Sequence, residues 1–155
     1  MAPHQGAESV SGQRPRMVGI NHVALEVADL EAAVSFYEDL FDIQSVDRED
    51  GMAFLAMGDQ FLALIEAPEV APQRGRHFGL VVDDKESVRA ALTRARVVIS
   101  QGRRLNFRDP WGNHLQIVDY RDVQFTKAPS ILRAMGVSAE KNPAARAELK
   151  ANGLL

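Results

Sequence analysis

The chain has 155 residues, no cysteine, 18 basic against 21 acidic side chains and a formal charge of -3, with 46% hydrophobic and 25% charged residues. That balance fits one folded domain of ordinary size or two small modules sharing a core. It excludes disulfides and thiolate chemistry, gives no general electrostatic case for nucleic acid, and leaves no apolar run long enough to span a bilayer. No signal-like segment opens the chain, so the cytoplasm is the default expectation and a small molecule the expected partner, with no nucleic acid and no membrane.

Residues 1–16, rich in Gly, Pro, Ser and Gln and including His4, read as a flexible lead-in. Residues 18–27 alternate as a strand. Asp29 then offers a helix cap, and Leu30, Val34, Tyr37, Leu40 and Phe41 recur at helical spacing, predicting an amphipathic helix over 30–40. Strands are expected at 52–57 and 60–66, joined by Gly58-Asp59. The run Ala67-Pro68-Glu69-Val70-Ala71-Pro72 closes a first module, residues 17–72. A second module, 73–120, repeats the order: a strand at 78–82, a helix at 85–94 with Val88, Ala91 and Leu92 on its apolar face, then strands at 97–100, 104–108 and 114–120. The arginines near Gly75 and Gly102 read as solvated turns, or as a local attraction for an anionic small molecule. The extension 121–155 carries two helical stretches, 130–135 and 143–149. Ile131, Leu132 and Met135 are placed to pack back on the core or to cover a homodimer surface.

The two modules are imperfect copies. Asn21-His22-Val23-Ala24-Leu25 and Arg76-His77-Phe78-Gly79-Leu80 align at an offset of 55 residues, and both strands run into aspartates, Asp29 and Asp84. Leu115-Gln116-Ile117-Val118-Asp119 matches Leu62-Ala63-Leu64-Ile65-Glu66 at an offset of 53, so Gln116 stands where the first half has Ala63. Neither half is large enough to be comfortable alone, and the two are expected to pair through their sheets.

Strand parity sorts the faces. His22, Ala24 and Glu26 lie opposite Val23, Leu25 and Val27; His77, Gly79 and Val81 lie opposite Phe78, Leu80 and Val82; His114, Gln116 and Val118 lie opposite Leu115 and Ile117. Small Ala24 and Gly79 leave room two residues beyond each histidine. If the sheets curl around a common cavity, His22, His77 and Gln116 converge, and two imidazoles with a carboxamide oxygen can hold a borderline divalent ion. The other reading is that both histidines are ordinary polar strand residues. Glu26 shares the cleft-facing parity and is a candidate base or substrate-binding residue, or a charged rim. Glu66 reads as an exposed strand-end carboxylate, and His114, at the start of a strand after a turn, as a surface residue. Asp109-Pro110-Trp111-Gly112-Asn113 is a tight reversal that sets the register of Gln116. Asn106 and Arg108 share a strand face and either contact substrate or face solvent.

These pieces resemble the vicinal oxygen chelate superfamily, which includes glyoxalase I, bleomycin-resistance proteins, fosfomycin-modifying enzymes and extradiol dioxygenases. The matching stretches are Asn21-His22-Val23-Ala24-Leu25 with Asp29-Leu30-Glu31, Phe36-Tyr37, and residues 107–116, within a likeness covering about 17–120. The resemblance implies an α+β fold of two paired βαβββ modules forming a cupped mixed β-sheet around a central cleft. It also implies a divalent metal (Fe, Mn, Ni, Co or Zn) at His22, His77 and Gln116, with Gln116 in the place usually held by glutamate. Ala63 vacates the fourth position of a four-ligand glyoxalase site. The implied chemistry is that of a metal-dependent lyase, isomerase or dioxygenase binding a small molecule through adjacent oxygens and stabilising an enolate-like anion. The loss of an anionic ligand argues against a ring-cleaving dioxygenase. The alternative is a non-catalytic binding or sequestration protein of the bleomycin-resistance type.

Overall fold

The structure, a computed structural model, describes residues 19–155. The lead-in 1–16 and the expected strand start at residue 18 lie outside the described residues. The first half runs β1 (His22–Val27), α1 (Leu30–Leu40), β2 (Val46–Glu49), β3 (Met52–Met57) and β4 (Gln60–Glu66). The second runs β5 (Phe78–Val82), α2 (Lys85–Arg94), β6 (Leu105–Arg108) and β7 (His114–Asp119). The strands form two mixed sheets, ordered β1-β4-β3-β2 and β5-β7-β6. In each, the first strand of the module lies parallel to the last.

Strand β2 is the third strand that the resemblance implied for the first module, although the residue pattern did not place it. Three of its four residues, Asp47, Arg48 and Glu49, are charged and exposed, because an edge strand needs no apolar alternation to pair on one side. The strand expected at 97–100 is reduced to a single bridge, Ile99 to Phe107, where the second half has only a remnant of β2.

Both helices start by the same rule. The Asp29 carboxylate accepts the Ala32 amide at 2.9 Å, and Asp84 accepts those of Glu86 and Ser87 at 3.0 and 3.1 Å. A second carboxylate reaches each helix from the end of the partner strand. Glu66 accepts the Leu30 amide at 3.3 Å, and its repeat-mate Asp119 accepts that of Lys85 at 3.4 Å. Glu66 is therefore more than a strand-end charge: it meets the positive end of α1.

One apolar core serves both halves. Leu25, Val27, Leu62 and Leu64 meet Ala33, Val34 and Tyr37 of α1, and Phe107, Leu115 and Ile117 join Val88, Ala91 and Leu92 of α2 in the same cluster. The halves are fastened at Asp109. Its buried carboxylate accepts the Tyr37 hydroxyl at 2.8 Å, the Asn113 side-chain amide at 2.8 Å, and the backbone amides of Trp111 and Asn113 at 3.0 and 2.8 Å. Asn113 also donates to the Glu26 carbonyl at 3.0 Å, so the second module's turn grips the edge of β1. Gly112 in that turn has φ +86°, and a Cβ there would come within 3.0 Å of Pro72 Cα.

After β7 a short 3-10 turn (Tyr120–Asp122) leads to α3 (Pro129–Met135) and α4 (Pro143–Ala151). Lys127 bonds to Asp59 and Gln60 of the β3–β4 turn, and Ile131 and Met135 cover Gly58 so closely that a Cβ there would lie 2.6 Å from Met135 Sδ. Of the two placements open to Ile131 and Met135, the chain takes the one against itself. Lys141 bonds to the carbonyls of Tyr120, Val123 and Phe125, and Asn142 to Arg121 and Asp122, fixing α4 to the second half.

Candidate functional site

The helices cover one face of each sheet, and the other face carries every residue singled out for chemistry. On β1, Leu25 and Val27 are buried toward α1, while His22, Ala24 and Glu26 are exposed. In register across β4, His22 faces Phe61, Ala24 faces Ala63 and Glu26 faces Ile65. On the second sheet Gly79 faces Gln116 and Val81 faces Val118, with Asn106 on the far side of Gln116 and Arg108 beside His114. Ala24 pairs with Ala63 as Gly79 pairs with Gln116, which bears out the internal equivalence of positions 63 and 116.

His22 lies flat on Phe61, with ring centres 4.7 Å apart and planes 8° from parallel; Phe54 meets Phe61 edge-on at 5.5 Å. Its Nδ1 is 2.9 Å from the Asn21 carboxamide oxygen, which can only accept. That nitrogen therefore carries a proton, and in the corresponding neutral tautomer the lone pair is on Nε2. Glu26 lies four residues further along β1, about 13 Å at the rise of an extended strand.

His77 and His114 stand side by side, ring centres 5.4 Å apart and planes tilted by 44°. The sequence assigned His114 to the surface, but it is half-buried on the same face as Gln116. Burial lowers its pKa below the usual 6.5, and the charges of Arg108 and His77 push in the same direction. Arg108 is spent locally, donating to the carbonyls of Gln73 and Gly112 at 2.8 and 2.7 Å.

The structure thus brings His77, His114 and Gln116 together on one sheet and sets His22 and Glu26 on the other. Among the described residues no group of three or more His, Asp or Glu is spaced to hold a metal ion, so His22 does not share one ion with His77 and His114 inside a single chain. Any ion on this surface needs the Gln116 oxygen or a donor from elsewhere. Two hollows lie apart from these residues. One of about 490 Å³ is bounded by Phe36, Arg96, Val98 and Pro110, the other of about 520 Å³ by Phe41, Asp84 and Arg94. Neither is lined by His22, Glu26, His77, His114 or Gln116.

Two repeated strand-helix-strand modules, each with one helix-covered face and one open face bearing imidazole, define a class of duplicated α+β proteins. The chain belongs to the Glyoxalase/Bleomycin resistance protein/Dioxygenase superfamily, whose family model matches residues 19–117. It is 27% identical over 115 residues to the metallothiol transferase FosB of Shouchella clausii (strain KSM-K16), covering 64% of this chain and 78% of that one. It is 30% identical over 110 residues to the glutathione transferase FosA of Serratia marcescens, covering 63% and 78%. Among solved structures, lactoylglutathione lyase from Agrobacterium tumefaciens superposes with a TM-score of 0.56 at 23% identity, over 67% of this chain and 95% of that one, a likeness of fold. The extension beyond residue 117 lies outside the family match. No helix among the described residues is long and apolar enough to cross a membrane.

Proposed function

We propose that this protein binds a small molecule through adjacent oxygens at a divalent metal held by His22, His77 and Gln116, and that two copies build each site. The observation that carries the reading is the division of faces: helices close one side of each sheet, and the candidate ligands all lie on the side left open. In one copy His22 is on a different sheet from His77 and Gln116, so the open face of the first sheet of one copy is matched to that of the second sheet of another. The donor chemistry fits a borderline ion: Nε2 of His22 is free, the imidazoles are uncharged when ligating, and Gln116 presents an oxygen.

A bound divalent ion supplies Lewis-acid polarisation of the two substrate oxygens, favouring an enolate-like anion. The chain's own residues do the rest. Ala24 and Gly79 leave space above the sheet, Phe54 and Phe61 present apolar walls, and Glu26 is an exposed carboxylate able to accept a substrate proton. The transferase names of FosA and FosB support a reaction on a small molecule. A second reading, a sequestering protein without turnover, is favoured by the Phe54–Phe61 pair, which offers an apolar ligand an aromatic surface.

The test is metal content of untagged protein, alone and in mixtures of variants. His22→Ala and His77→Ala homodimers should each lose metal, and an equimolar remixed sample should recover about a quarter of the wild-type sites, since half the dimers are mixed and each keeps one intact site. Loss of metal in both variants without recovery refutes the two-copy site. Absence of metal in the wild type after supply of Fe, Mn, Ni, Co and Zn removes the coordination reading and leaves sequestration.

A further inference from the structure

The repeat is broken at two places in the same strand, positions 114 and 116. The 53-residue offset that equates Ala63 with Gln116 also equates Phe61 with His114. In the first half the position beside the histidine is aromatic carbon, and His22 stacks on it in parallel at 4.7 Å. In the second half it is a second imidazole, and the pair is neither stacked nor edge-on: 5.4 Å between centres, 44° between planes. Among the described residues, the side chains of His77, His114 and Gln116 make no hydrogen bond with the protein. His114 and Gln116 are half-buried and His77 is exposed, so all three keep their polar atoms free for a ligand.

The spacing has a quantitative meaning. A zinc–imidazole bond of about 2.1 Å plus about 1.1 Å from nitrogen to ring centre puts each centre about 3.2 Å from an ion. Two such rings subtending a tetrahedral angle have centres about 5.2 Å apart, and at an octahedral right angle about 4.5 Å. The 5.4 Å observed is compatible with the tetrahedral value. Gln116 lies two residues from His114 on the same face, adding an oxygen donor.

We infer that His114 is a metal ligand beside His77, supplying the fourth donor that Ala63 withholds. The inference rests on reading this face as a metal centre. It makes the second sheet of each copy carry three of the four donors, with His22 joining from the other copy, and it favours ions that rest four-coordinate and expand their shell when substrate oxygens arrive, such as Zn²⁺ or Co²⁺.

The experiment titrates metal-free protein with Co²⁺ and Zn²⁺, reading affinity by competition with a chromophoric chelator and geometry from the Co²⁺ visible absorption. His114→Phe copies the first-half residue, and His114→Asn gives the same measurement if the phenylalanine variant does not fold by circular dichroism. Wild type should show the intense band of four-coordinate cobalt. Either folded His114 variant should lose that intensity and bind at least about tenfold more weakly. If His114→Phe keeps wild-type affinity and spectrum while His77→Ala loses both, His114 is no ligand and the three-donor centre stands without it. If wild type takes up neither ion, both readings fall together.

Discussion

Removing the Tyr37 hydroxyl isolates the fastening between the two halves. Tyr37→Phe keeps the ring, which is fully buried between α1 and the core, so no cavity opens. What disappears is one of four hydrogen bonds to the Asp109 carboxylate, the one that crosses from the first module to the second. A hydrogen bond to a charged group contributes about 1.5–3 kcal/mol, and three donors remain, which places the expected loss near about 2 kcal/mol. For a chain of this size that lowers Tm by about 4–8 °C. Urea unfolding followed by circular dichroism should show a lower midpoint with an unchanged slope. The same variant carries a pH signature. Burial pushes the Tyr37 pKa well above 10.0, and the Asp109 charge and bond push it further. Below pH 10 the phenol is protonated folded and unfolded, and its full contribution is present. As pH rises past 10 the unfolded chain releases the proton while the folded chain keeps it, so wild-type stability falls toward the folded pKa. Tyr37→Phe lacks that slope, and the gap between the two proteins should narrow in alkali. A loss under about 0.5 kcal/mol at pH 7, in the range of ordinary surface changes, would refute Asp109 as the fastening.

Gly112→Ala should cost about 1–3 kcal/mol, because alanine at φ +86° is strained and its methyl meets the Pro72 backbone at 3.0 Å; a neutral change in the urea midpoint would show that the turn and linker yield freely. Asp119→Asn should cost about 1 kcal/mol at pH 7 through the weakened cap on α2 and should flatten the acid limb of the stability curve. Burial raises the Asp119 pKa, but bonds from the Arg121 side chain and from the Arg121 and Lys85 amides outweigh it and leave it below 3.8. That stability is present above pH 3.8 and lost as pH falls through the folded value, so an acid titration of wild type as steep as that of the variant would contradict it.

The parts of the fold legible in the sequence are those written twice. The cap aspartates Asp29 and Asp84, the helices behind them and the pairing of position 63 with 116 all follow from comparing the halves, and the register bears them out. Strand β2 was invisible because its residues answer to an edge rather than to a core. Asp109 and Asn113 read as turn formers and are turn formers, but their reach to Tyr37 and Glu26 spans more than 70 residues of chain, which no local pattern encodes. His114 was within reach: the offset that exposed Gln116 exposes it too, had it been extended two residues back. Its face was legible from strand parity, but its place beside His77 depends on the parallel pairing of β5 with β7, which no local pattern encodes.

The four edges of the two sheets are defended unequally. Strand β2 presents Asp47, Arg48 and Glu49, β6 ends in Arg108, and β1 has the Asn113 amide laid against its Glu26 carbonyl. Strand β5, Phe-Gly-Leu-Val-Val, has no charge along its length and no strand partner on its outer side among the described residues. Charges, bulges and coverings are the usual means by which soluble proteins stop one sheet from growing onto another, and β5 has none of them within its own five residues. Concentration-dependent self-association therefore has its natural starting point at this strand, and a destabilised chain would be drawn into strand-on-strand growth from here before anywhere else.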